Sequence, residues 1–427
     1  MVTTFASLQF SVRVLIVFLL SVVAARFANW AIYNWAHFSR QLGPWAEPVK
    51  GFSAHTWADH VPVFGWWLLR RESKEHGAKY WLRPLLIELI FPLAVTWYFH
   101  FLISGGTLPA SLKMFTPILQ VELHGQFVGH WVLITLMTIA TFIDFDEQSI
   151  PDTVTIPGTV IGLLGAAFVP GWLGFTSVLT PTGEIPAEMD ATAPNPWLDW
   201  MNASWGLYFA IAVVLVWAFA LLDRRLILRR GMKKAFVYFI ARLLRPHWLW
   251  KVVVLVAAAM LVGVVMAWNE QLARWPYLLS SLFGLACAGG ITWAVRISAS
   301  AALRAQALGF GDVTLMAMIG AFLGWQAALL VFALAPFAAL FIAIAQFVLS
   351  RSRVIAFGPY LSLAALLLII FWSAIWNENA KNGVFQLGGP ILLAVIAGAL
   401  VAMGLMLLGL RWLKGLRSND EEEEGPA

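Results

Sequence analysis

Long apolar runs broken by short polar stretches set the pattern of this chain. A helix needs roughly 20 apolar residues to cross a hydrocarbon core. That rule predicts spans near residues 8–30, 85–103, 126–143, 153–175, 204–222, 252–268, 277–295, 313–324, 326–349, 359–376 and 388–410. The eighth is short, so it crosses at a thin point or turns back within the membrane. The expected fold class is all-α, a polytopic transmembrane helical bundle of about eleven spans. No tandem repeat is apparent.

Composition agrees with that class. Of the 427 residues 60% are hydrophobic and 12% charged, where a soluble domain carries about 25% charged. The 23 Trp and 30 Phe fit aromatic belts at two interfaces. The first apolar run contains Arg13 and ends at Arg26, with no small-residue cleavage site, so no cleavable signal peptide is evident. A single cysteine, Cys287, excludes an internal disulfide and a cysteine-based zinc site, and is expected to fill core space. The net charge of +5 needs no nucleic acid to explain it, because the basic residues sort with topology.

Lysine and arginine gather in 37–83, 223–251, 296–312, 351–353 and beyond 410. The intervening loops hold little more than Lys113, Arg274 and Lys381, and loop 176–203 carries Glu184, Glu188, Asp190 and Asp199. By the positive-inside rule the basic side is cytoplasmic, which puts the N-terminus outside and the C-terminus in the cytoplasm. The expected organisation is 1–125, N-terminal spans with cytoplasmic loop 37–83; 126–410, a membrane domain with inserted spans and outer loop 176–203; and 411–427, an acidic cytoplasmic tail. Segment 223–251 reads as a topology-setting loop, or as an amphipathic helix on anionic headgroups. The run Asp420 to Glu424 reads as a solvated tail.

Two aspartates stand at the ends of apolar stretches: Asp144 in FIDFDEQSIPDTVTIP and Asp312 in GFGDVTLMAMIG. Ionisable groups there are costly and are usually kept for function. Both fall at the predicted cytoplasmic ends of their helices. If the two helices pack side by side, the carboxyls cannot both ionise cheaply, and the pair holds one proton near neutral pH. One carboxyl then donates to a scissile carbonyl while the other deprotonates water, with the titration belonging to the pair. Gly309 and Gly311 would clear the substrate's approach. Pro151 would open the next helix, Asp152 would cap it, and Pro157-Gly158 would offer a kink. Asp146 and Asp152 also read as plain caps or interfacial charges, and Glu147 as solvated. His55, Asp59 and His60 read as surface residues, so no metal is expected. Trp66-Trp67 and Arg70-Arg71 read as an interfacial anchor. Glu88 would orient the dyad, bind the substrate, or make a buried hydrogen bond to a neighbouring helix.

At these residues the chain resembles the prepilin peptidases, or type IV leader peptidases, of the GxGD membrane aspartyl proteases. FIDFDEQSIPDTVTIPGTVIGLL and GFGDVTLMAMIGAFLGWQ are similar to the family's two signature segments, matching its catalytic aspartates with Asp144 and Asp312. Phe357-Gly358-Pro359-Tyr360 is similar to a third segment, and so Gly358 and Pro359 join the candidate substrate approach. More loosely, Asn29, the HVPVFGWWLLR loop and Glu88 resemble conserved N-terminal features of the family, with Asn29 and Glu88 as supporting residues. The resemblance implies an endopeptidase of the bacterial inner membrane that cleaves basic leaders from type IV prepilins or type II secretion pseudopilins at the cytoplasmic face.

The chain departs from the family in four ways. Loop 37–83 lacks the cysteine pairs of many members, so no zinc is expected. Some members also methylate the new amino terminus, but the loop shows no glycine-rich fingerprint for S-adenosylmethionine, which stays open as a cofactor that peptidase chemistry does not need. Thr314 stands where the family often has lysine. Extra spans also separate the two aspartates. Three other readings remain: a proton-coupled transporter using the two acids as a relay, a GxGD protease cutting within the membrane, and a non-catalytic relative serving assembly. Acids clustered at one face without internal symmetry disfavour the transporter, and Phe-Gly-Pro-Tyr in place of Pro-Ala-Leu disfavours the intramembrane protease.

Overall fold

A computed structural model of the chain describes residues 2–48, 54–181, 183–221, 248–270, 273–303, 308–349, 357–386 and 398. The fold is built from helices: α1 (Phe10–Asn34), α2 (Leu82–Ile103), α3 (Gln120–Glu147), α4 (Asp152–Phe168), α5 (Ser204–Leu221), α6 (Trp248–Asn269), α7 (Trp275–Leu303), α8 (Phe310–Leu349), α9 (Gly358–Ile370) and a π-helical α10 (Ser373–Gln386). Among the described residues seven helices are long and apolar enough to cross a membrane, or eight if α9 and α10 count as one bent span. The chain is an all-α, multi-pass membrane protein. Predicted span 388–410, most of basic segment 223–251 and the acidic tail lie outside the described residues.

The helices depart from the predicted spans where backbone geometry intervenes. Predicted spans 313–324 and 326–349 are two legs of α8, broken at Gly324, whose φ of 81° no helical residue adopts. Helix α4 stops at Phe168, because Pro170 and Gly171 (φ 76°) turn the chain toward a strand. A bend of 90° separates α9 from α10. Helix α4 continues through Pro157. Gly158 serves close packing, since a methyl group there would lie 2.3 Å from Met318 Sδ.

Helix α8 is central, packing on α3, α4, α7 and α9. Gly284 of α7 and Gly320 of α8 let the two backbones touch, since a Cβ on either would lie within 2.2 Å of the other's carbonyl oxygen. Small residues allow such approach where lipid provides no hydrophobic drive between helices. The core between α3, α8 and α9 is filled by Ile139, Leu315, Ile319, Phe322 and Tyr360. Leu15, Leu19, Leu20 and Val23 of α1 are exposed, as befits a lipid-facing surface.

Loop 176–203 contains structure absent from an all-helix reading. Strands β1 (Phe175–Thr180) and β2 (Gly183–Glu188) form an antiparallel hairpin with Phe175 opposite Glu188. It docks on α10, where Trp372 Nε1 donates to the Phe175 carbonyl (2.7 Å) and buried Lys381 donates to Ser177. Arg274 grips Glu188 through two bonds of 2.6 and 3.0 Å. Just past the Gly324 bend, Trp325 and Gln326 donate to the carbonyls of Ala191 and Asp190. The hairpin thus closes the end of the bundle where the first leg of α8 finishes.

Candidate functional site

At the other end of the bundle, α1 and α3 finish while α2, α4, α8 and α9 begin, and both aspartates lie there. Helix α3 carries Asp144 in its last turn. It stops where Gln148 takes a left-handed φ of 53° and returns its N–H to the Asp144 carbonyl at 2.9 Å. That reversal sends Ser149, Ile150 and Pro151 back across the bundle, and α4 begins at Asp152. The N-cap is Pro151, so Asp152 stands in the first turn and does not cap the helix as expected. A carboxylate there still complements the amide end of the helix.

Asp312 is the third residue of α8. Its Oδ2 accepts the N–H of Gly309 at 3.1 Å, the backward half of a capping box. Asp144 Oδ2 accepts the N–H of Gly358, the first residue of α9, at 3.0 Å. Each carboxylate is thus held by a glycine N–H at the opening of a helix. Asp144 is 4% exposed and Asp312 7%. Ile150 sits between their supports. A methyl group on Gly311 would lie 2.8 Å from Ile150 Cβ, and one on Gly358 would lie 2.7 Å from both Ile150 Cδ1 and Asp144 Oδ2. Gly311 and Gly358 are therefore glycines because the protein's own atoms fill the space beside them.

Asn29 and Glu88 come together elsewhere. Glu88 is buried and accepts from Asn29 Nδ2 (3.2 Å), Trp66 Nε1 (2.9 Å) and the Val63 N–H (2.6 Å), with Arg26 at 3.7 Å. Val63 has φ 64° and ψ −56°, a strained γ-turn for a β-branched residue, which Glu88 pins by its N–H. Glu88 thus makes a buried hydrogen bond to the neighbouring helix α1. Trp66, expected at an interface, is wholly buried, whereas Trp67 is exposed beneath Arg70 at 4.2 Å. Asp59 is equally buried and pairs through both oxygens with Arg71 (3.0 and 2.9 Å), so it is no surface residue.

The residues after Asp144 also differ from expectation. Asp146 binds Arg83 through two bonds (2.7 and 2.9 Å) with Arg40 at 3.5 Å, and it caps nothing. Glu147 accepts the N–H groups of His37 (2.8 Å) and Phe38 (2.9 Å), latching the chain beyond α1 onto the end of α3. Thr314 turns its hydroxyl to the Gly311 carbonyl at 3.0 Å.

Two surfaces reach the residues that flank Asp312. A polar cleft of about 720 Å³ has His37, Ile150, Asp152, Arg296, Phe310 and Gly311 in its wall. On another side an apolar groove of about 230 Å³ runs between α5, α7 and α8, with Phe310, Val313 and Thr314 in its wall. Arg296 is absent from the sequence-based candidates, although it ends an apolar run as the aspartates do and the same cost of intramembrane charge points to it. Among the described residues no three His, Cys, Asp or Glu side chains could hold a metal ion.

Comparison with known proteins converges on one family. Residues 240–344, which contain Asp312, match the type IV leader peptidase family. The chain is 34% identical over 80 residues to a prepilin leader peptidase/N-methyltransferase of Aeromonas hydrophila, covering 18% of this chain and 28% of that protein. It is 30% identical over 92 residues to one of Escherichia coli (strain K12), covering 21% of this chain and 41% of that protein. The chain therefore spans less than half the length of the curated relatives it matches. No solved structure matches it. Residues 240–344, with Asp312 inside them, are thus the part of this chain that is similar to the type IV leader peptidase family.

Proposed function

We propose that this protein is a membrane aspartyl endopeptidase that removes leader peptides from type IV prepilins or secretion pseudopilins. Its site faces the cytoplasm from a bacterial inner membrane. The reading rests on one observation above the rest: Asp144 and Asp312 are buried at the same end of the bundle, each with one oxygen held by a glycine N–H. In this reading the other oxygen of each carboxylate takes part in the reaction.

In the proposed mechanism the pair holds one proton. The ionised carboxyl takes a proton from water as its oxygen attacks the scissile carbonyl carbon, while the protonated carboxyl donates to the carbonyl oxygen. Collapse of the tetrahedral intermediate breaks the C–N bond, and the leaving nitrogen takes a proton from the pair. No step calls for a metal or S-adenosylmethionine. The substrate class suits the surroundings of Asp312. A leader junction changes from a polar, basic stretch to an apolar helix, and here a polar cleft reaches Gly311 on one side of Asp312 while an apolar groove reaches Val313 on the other.

Cleavage of a reporter prepilin in membranes, compared between wild type, Asp144→Asn and Asp312→Asn, tests the proposal. Both variants keep size and polarity while removing the acid. Cleavage is expected in wild type alone, at equal protein levels. A variant that cleaves normally would sink the two-aspartate mechanism, and proton-coupled uptake without proteolysis would favour the transporter.

A further inference from the structure

Arg296 is the one charged side chain in α7, and it works at the approach to Asp312. Its Nε donates to the Leu308 carbonyl at 2.9 Å, and its guanidinium lies 5.6 Å from the centre of the Phe310 ring. It therefore grips the chain on both sides of Gly309, whose N–H holds Asp312 Oδ2. Arg296 also shares the wall of the polar cleft with Ile150 and with Gly311, the residue before Asp312.

We infer that Arg296 is a positioning residue for the aspartate pair: it fixes residues 308–311 so that the Gly309 N–H meets Asp312, and it supplies the positive charge that steadies Asp312 when ionised. This inference rests on the aspartate chemistry proposed above. The elements around Asp312 bring other ionisable groups. Asp144 comes from α3, Asp152 from α4, Tyr360 from α9, and His37 from the segment after α1. Of these neighbours the two aspartates oppose a second negative charge, and among the described residues Arg296 is a permanent cation beside them. The 5.6 Å stacking distance and the carbonyl bond leave the guanidinium little freedom, so both functions follow from one rotamer.

The test compares wild type, Arg296→Gln and Arg296→Lys for reporter cleavage across pH. Glutamine can still donate to Leu308 but carries no charge, whereas lysine keeps the charge. Removing a cation makes the ionised pair harder to form, so the acidic limb of the Gln profile moves up by about one pH unit. The Lys variant moves back toward wild type. Unchanged profiles in both variants, or an equal loss at every pH in both, would overturn the inference, since a purely structural residue gives those results. A second measurement is independent of cleavage. Labelling of Asp312 by dicyclohexylcarbodiimide, which attacks protonated carboxyls in apolar surroundings, is read by peptide mass spectrometry. Labelling should persist to higher pH in the Gln variant, and coincident labelling curves overturn the inference. If wild type cleaves no prepilin, the peptidase reading fails, while the labelling curves still decide the role of Arg296.

Discussion

At Gly358 a hydrogen atom occupies the position where any other residue would put a carbon. That carbon would stand 2.7 Å from Asp144 Oδ2, well inside contact distance, beside the very oxygen that the Gly358 N–H holds. Gly358→Ala is therefore expected to push the carboxylate aside without unfolding the helix. A shift of about 1 Å in a catalytic group costs roughly 100-fold in rate. Reporter cleavage per unit of protein in membranes measures this, and a variant within about threefold of wild type would show that the carboxylate tolerates the displacement. Gly309 makes a gentler case, since its added methyl would lie 3.1 Å from Asp312 Oδ2. The two glycines fit the carboxylates themselves, whereas the sequence suggests clearance for a substrate.

Among the elements, the described part of the segment between α1 and α2 is stitched by charge, through Arg71 on Asp59 and His55 on Glu72. Burial pushes the Asp59 carboxyl up, but hydrogen bonds from Arg71 and Thr56 outweigh it and hold the group below its usual range. A depressed carboxyl contributes stability that is complete above about pH 4 and is lost as pH falls through its lower folded value. Limited proteolysis of this segment in detergent is expected to stay slow until the pH drops below about 4. Asp59→Asn should open it at neutral pH, costing about 1–3 kcal/mol, and should remove the pH dependence. Equal proteolysis of the two proteins at every pH would contradict that role.

The stitches explain what can be read from sequence. Apolar length marks most of the helices, and the cost of membrane-edge charge marks Asp144 and Asp312, because both signals are local. Glu147 looks solvated, and Asp146 a cap or interfacial charge, because their partners lie 109 or 110 and 63 residues away. The hairpin is equally hidden: β2 contains Pro186 and two glutamates, and only docking against α10 and Arg274 fixes it. The Gly324 bend escapes notice because apolar residues continue on both sides of it.

In the whole molecule, the hairpin and the aspartate site close opposite ends of the central helix. The first leg of α8, Phe310 to Leu323, rises about 21 Å at 1.5 Å per residue. A typical hydrocarbon core is about 30 Å thick. Trp325 and Gln326 tie the far end of that leg beneath the hairpin. A thick bilayer must therefore thin locally, or the aspartates sink away from its surface. Proteoliposomes of increasing acyl-chain length are expected to show falling cleavage at constant protein, each ångström of mismatch costing a fraction of a kcal/mol. A flat response across chain lengths would mean that the scissile bond is delivered independently of membrane depth. On the proposed peptidase reading, the bend at Gly324 makes lipid thickness a parameter of the reaction, and the same polypeptide is expected to work at different rates in membranes that differ only in the length of their fatty acids.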